Sequence, residues 1–83
     1  MITGENVVII VRGESVKKGA LVDVWWREPH PVHGIKKRRA VSLVHLVGQH
    51  EERTGFLVTD GRGKVVPVVT RDVSDIRVIK RKD

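Results

Sequence analysis

Cysteine and tyrosine are absent from this 83-residue chain, and aromatic residues amount to two tryptophans and one phenylalanine. Without cysteine there is no disulfide framework, no thiolate metal site and no thiol nucleophile, and a cytoplasmic setting is expected. Long apolar runs are missing too. The run Val7 to Val11 falls far short of the ~20 residues that span a bilayer as a helix, and no basic stretch precedes it as a secretory signal requires, so no membrane partner is expected. The scarcity of aromatics counts against an RNA-recognition module of the kind that stacks several bases on exposed rings.

The residues that are present are of one structural kind. Valine occurs 17 times and isoleucine 6 times, against 4 leucines and 2 alanines. β-Branched side chains pack well on pleated sheets and lose rotamer freedom in helices, so the chain reads as all-β with little or no helix. A single domain over residues 1–83 is expected, with a small core, because a chain of this size buries only ~60 to 65% of its unfolded surface.

Glycine and proline divide the sequence into segments of strand length. The first strand is expected over Asn6 to Arg12, apolar on both faces and hence central or covered on both sides. The second is expected over Ala20 to Arg27. Its even positions, Ala20, Val22, Val24 and Trp26, should face the core, and its odd positions place Trp25 outside beside Asp23 and Arg27. Further strands are expected over Arg39 to Val47, Gly55 to Thr59, Lys64 to Thr70 and Ile76 to Lys80. A polar loop, Gly48 to Thr54, should join the third and fourth. Asp60-Gly61-Arg62-Gly63 carries the signature of a tight hairpin turn. Pro67 has no N–H to give a ladder, which puts its strand at an edge or a bulge. Arg71 to Asp75 reads as one tight turn, and the tail 80–83 as mobile. Five or six strands in this order have the plan of an SH3-like barrel or a compact sandwich. That likeness is architectural and carries no function with it.

Charge is the functional signal. The net charge is +6 and the pI about 10.3, a balance that favours anionic partners. Four consecutive cations, Lys36, Lys37, Arg38 and Arg39, fall in what reads as a long basic hairpin loop, with Arg27 at its other end and Glu28 the one acid between. Five cations on a loop displayed by a rigid scaffold suit phosphate contacts, and about four such contacts give a log-log salt slope near −3.6. Lys17, Lys18, Arg62, Lys64 and Lys80 to Lys82 either extend this patch or lie apart from it. Trp25, on the outer face, is a platform on which a base stacks, or else a cover for the second sheet face or a subunit interface.

Other chemistry is thin. His30 and His33 are spaced His-x-x-His with His45 and His50 further on, but no cysteine joins them and no metal is expected. His45 reads as a packed or hydrogen-bonded residue on the face of Val41, Leu43 and Val47. No serine sits in a nucleophile elbow, the aspartates fall mainly at turns, and no helix follows Gly61 and Gly63 to cradle a phosphate. No enzyme, cofactor or small-molecule substrate is expected. The sequence therefore points to a basic module binding DNA or RNA through Arg27, Lys36, Lys37, Arg38, Arg39 and Trp25. The alternative is an assembly or interaction module, a structural or adaptor subunit that associates through a strand edge or an apolar sheet face, homo-oligomerisation being favoured under either reading.

Overall fold

Valine supplies ten of the sixteen buried apolar residues around which this all-β chain folds, in keeping with the fit of stiff, branched side chains to a pleated surface. The computed structural model describes residues 2–3, 7–50 and 53–81. Among them are nine strands: β1 (Ile2–Thr3), β2 (Val8–Val11), β3 (Glu14–Lys17), β4 (Leu21–His30), β5 (Gly34–Leu43), β6 (Leu46–His50), β7 (Arg53–Thr59), β8 (Val65–Val69) and β9 (Val73–Lys80), with one 3₁₀ turn at Thr70–Asp72. All pairing is antiparallel, in sheets ordered β1-β6-β7-β8, β2-β3 and β5-β4-β9. The strands described form three small sheets and no closed barrel, and they outnumber the five or six expected. No helix among the described residues is long and apolar enough to cross a membrane.

Two local features account for two of the added strands, β3 and β6; the third, β1, pairs along β6. Arg12 (φ 50°) and Gly13 (φ 83°) are both left-handed, as a two-residue type I′ turn demands, and they fold Val8–Val11 back onto Glu14–Lys17. The first strand is therefore half of a hairpin, not a central strand: Ile9 and Val11 are buried, while Val8 and Ile10 are exposed. The second feature is a break at Val44 and His45, where Val44 exchanges backbone hydrogen bonds with the Gly19–Ala20 segment. Val41 and Leu43 face solvent before the break and Val47 faces the core after it, so the shared face expected for these residues and His45 does not form. His45 is exposed and lies 2.6 Å from the Thr59 hydroxyl. The expected polar loop is mostly strand, because Gly48, Gln49 and His50 pair with Gly55, Thr54 and Arg53.

Other expectations agree with the structure. The even face of β4 is core, with Val22, Val24 and Trp26 all buried and Ala20 just ahead of them. Pro67 lies in β8, an edge strand; a turn does precede the last strand, but it is a 3₁₀ turn at Thr70–Asp72, shorter than the expected Arg71 to Asp75, and residues 73–75 already belong to β9. Asn6, and Lys82 and Asp83 of the expected tail, fall outside the described residues.

The inner faces of the three sheets meet in one core. Ser42 ties two of them together: its hydroxyl donates to the Leu43 carbonyl at 2.7 Å and accepts the Thr59 N–H at 2.8 Å. The β4–β5 hairpin runs in register from Leu21 opposite Leu43 to His30 opposite Gly34. The third strand of that sheet, β9, accompanies β4 only as far as Trp26 opposite Val73. Beyond that pair, residues 27–37 form a two-stranded ribbon closed by the loop Pro31, Val32 and His33.

Candidate nucleic-acid interface

The ribbon changes the meaning of the basic run. Lys36, Lys37, Arg38 and Arg39 are strand residues of β5, and the expected long basic loop shrinks to the three residues at the tip. Pro29 and Pro31 read as loop punctuation in the sequence, yet Pro29 lies past the last β9 pair, on a free strand edge where a missing N–H is tolerated. Strand alternation then separates the cations. Arg39 stands opposite Trp25 and Lys37 opposite Arg27 on the outer face; Arg38 stands opposite Trp26 and Lys36 opposite Glu28 on the inner one.

Two of the four are held by carboxylates. Arg39 donates two hydrogen bonds to Asp23, Nε to Oδ1 at 2.9 Å and Nη2 to Oδ2 at 2.8 Å, and its Cζ lies 4.9 Å from the Trp25 ring centroid. Arg77 approaches the same carboxylate at 3.9 Å. Asp23 is on the outer side of the sheet, as its parity implies, but it is buried beneath these side chains. The hydrogen bonds from Arg39 hold its carboxyl below the usual carboxylate range, against the opposing effect of burial and with added help from the Arg39 and Arg77 charges. The same contact holds the Arg39 guanidinium above its ordinary value.

Arg38 is the centre of a second network. Its Nη1 donates to Glu28 Oε2 at 3.1 Å and its Nη2 to Asp60 Oδ2 at 3.3 Å, while its Cζ lies 5.6 Å from the Trp26 ring centroid. Trp26, the core anchor, donates its Nε1 to Glu28 Oε1 at 2.9 Å. Asp60 also accepts the N–H groups of Arg62 and Lys64, at 2.9 and 3.0 Å. Those backbone bonds, with Arg38, hold the Asp60 carboxyl below its ordinary value, while burial works the other way. Through this relay the β7–β8 turn is fixed beside the root of the ribbon.

What remains is a set of exposed cations. Arg27, Lys36 and Lys37 engage no carboxylate among the described residues. A groove of about 430 Å³ runs along the β5 side of the ribbon, lined by Lys36, Arg38, Arg39, Arg62 and Lys64 around Asp60. A second, of about 410 Å³, lies on the β4 side, where Arg12, Arg27 and Arg71 line it with Glu28, Asp72 and Ser74 among others. Cationic grooves thus flank the ribbon on both sides. No protein-family profile, curated protein or solved structure matches this chain.

Of the outlying cations, Arg62 and Lys64 join the patch, while Lys17 in β3 and Lys80 in β9 line neither groove. Trp25 is half-buried, with Arg39 over its ring. Sequence reasoning did not single out Arg12 or Arg71. Arg12 reaches the groove because the type I′ turn aims it at β9, where its Nε donates to the Val73 carbonyl at 2.9 Å. The one available signal was Arg-Gly between two short alternating segments. At the tip, the rings of His30 and His33 stack 4.7 Å apart, and His30 Nδ1 accepts the N–H groups of Val32 and His33, each at 3.1 Å. Among the described residues no group of three or more metal-ligating side chains is gathered.

Proposed function

We propose that this protein is a non-enzymatic, cytoplasmic nucleic-acid-binding module that grips phosphates with its basic β-ribbon. The observation that carries the reading is the exposure of Arg27, Lys36 and Lys37 on a projecting ribbon, without carboxylate partners among the described residues and between two cationic grooves. Arg38 and Arg39 act differently under this reading. Their carboxylates orient and neutralise them, so they form a preset rim that shapes the root of the ribbon without losing rotamer entropy on binding, and the net positive potential comes from Arg27, Lys36 and Lys37. Trp25, with Arg39 above it, lies beside the path of the backbone. The mechanism is charge neutralisation with counterion release, weakly selective for sequence and steeply dependent on salt. Fluorescence anisotropy with labelled random-sequence duplex DNA and single-stranded RNA, each titrated at several salt concentrations, tests it. Absence of binding to either at low salt overturns it.

A second reading has one specific observation in its favour. The opposite end of the same sheet is apolar: Leu21 pairs with Leu43, and Val41, Leu43 and Ile79 are 55%, 52% and 46% exposed. Uncovered aliphatic side chains on a sheet face suit an assembly or homo-oligomer contact. Light scattering over a concentration series tests it separately, a strictly monomeric protein being the result that removes it.

A further inference from the structure

The ribbon carries more than charge, and the placement of its residues is specific. Its cations lie on both faces, Arg27 and Lys37 on one and Lys36 with Arg38 behind it on the other. Its apex carries exposed apolar residues, Val32 at 79% and Ile35, opposite Pro29, at 63%, beside the stacked rings of His30 and His33. The apex is also shaped in advance, by Gly34 in the left-handed region (φ 75°) and by the two backbone N–H groups bonded to His30.

Dimensions decide where such an arm fits. Four residue pairs project beyond the last β9 contact, and at ~3.4 Å per residue they reach ~14 Å, with a sheet carrying side chains on both faces ~10 Å thick. The major groove of B-form DNA is ~12 Å wide and ~8.5 Å deep and accepts a two-stranded ribbon, whereas the minor groove is only ~6 Å wide. The major groove of A-form RNA is too deep and narrow for side chains to read. A groove also has a phosphate wall on each side, which matches cations on both faces, and its floor carries the thymine 5-methyl groups, the apolar feature that an exposed valine at the apex suits.

We propose that the ribbon enters the major groove of double-stranded DNA apex first, with its two faces toward the two phosphate walls and Val32 against the thymine 5-methyl groups. This rests on the phosphate-binding reading above. It adds the nucleic acid, the groove and the residue that touches bases.

Dimethyl sulfate protection of a short mixed-sequence duplex saturated with the whole protein tests it, since that reagent marks guanine N7 in the major groove and adenine N3 in the minor groove and, at saturation, the readout needs no preferred register. The bound protein is expected to suppress methylation at N7 and to leave methylation at N3 unchanged. Replacing thymine by uracil throughout the duplex should weaken binding about fourfold per contacted methyl group, and should leave the Val32→Gly variant, which has no side chain to touch the methyl, unaffected. Protection at N3 alone, protection at neither position, or duplex RNA of the same sequence bound as tightly overturns the groove assignment while the phosphate-binding reading stands. Equal affinity of the native protein for the thymine and uracil duplexes overturns the role of Val32. Failure to bind any nucleic acid at low salt overturns both readings.

Discussion

The carboxylate of Asp23 and the guanidinium of Arg39 meet through two hydrogen bonds of 2.9 and 2.8 Å across neighbouring strands, and the two groups differ sharply in exposure: the Asp23 side chain is 3% exposed and that of Arg39 57%. Removing either partner therefore has unequal consequences. Arg39→Ala leaves a buried charge with only Arg77 nearby and should be the more destabilising of the two changes. Asp23→Asn leaves an arginine that water can solvate and should cost about 1 kcal/mol. Urea unfolding of both variants checks the order, and equal costs would mean that the pair does not depend on the burial of Asp23.

Acid stability follows from the same carboxylates. Asp23 and Asp60 both ionise more readily in the folded protein than ordinary aspartates do. The unfolded chain, with aspartate pKa about 3.9, then binds protons first as pH falls. The stability these groups contribute is complete above that value and disappears as pH drops through their lower folded values. Denaturation midpoints measured from pH 7 to pH 2 should fall at the acid end, and the fall should be shallower in Asp23→Asn. An unchanged acid limb in that variant would count against the ion pair.

Adjacent tryptophans should behave as unlike residues. Trp26 is 2% exposed, so Trp26→Ala should cost roughly 3 to 5 kcal/mol as a core truncation. Trp25 is half-buried under Arg39, and its loss should cost about 1 to 2 kcal/mol. Acrylamide should quench the fluorescence of Trp25 far more than that of Trp26 when each is the one tryptophan left. The reverse result would contradict the register of β4.

The ribbon cations divide into those with carboxylate partners, Arg38 and Arg39, and those without among the described residues, Arg27, Lys36 and Lys37, and salt dependence tests whether the second set grips phosphate. Replacing Arg27, Lys36 and Lys37 together by alanine should lower the magnitude of the log-log salt slope of DNA binding by about 2.7, with each change moving stability by less than about 0.5 kcal/mol. Arg38→Ala should also lower the unfolding midpoint, because Glu28 and Asp60 lose their shared partner. A slope unchanged by the triple replacement would exclude these residues from phosphate contact.

The sequence made the sheets legible wherever one side-chain period decided the matter. In β4 the alternation of Val22, Val24 and Trp26 with Asp23 and Arg27 identified the buried face, and Pro67 announced an edge. It failed where a turn rested on an unusual backbone. Arg12 in a left-handed conformation is not written in any local preference of arginine, so the β2–β3 hairpin went unseen. Proline near the ribbon tip suggested a loop because its tolerance at a free edge depends on where β9 stops, which is a tertiary fact. The cation cluster was legible as composition, but its division between two faces, and the capture of Arg39 by Asp23 sixteen positions away, depended on register.

Because β9 leaves β4 at the Trp26–Val73 pair, the ribbon past that point has no third strand to lean on. Its amides should trade hydrogen for deuterium well before those of the core strands, in a gradient that steepens toward Val32. A partner that clamps both sides of the arm would suppress this exchange locally and leave the rest of the molecule as it was. Holding the ligand and ordering the arm would then be a single thermodynamic event, with affinity set in part by how often the free arm frays.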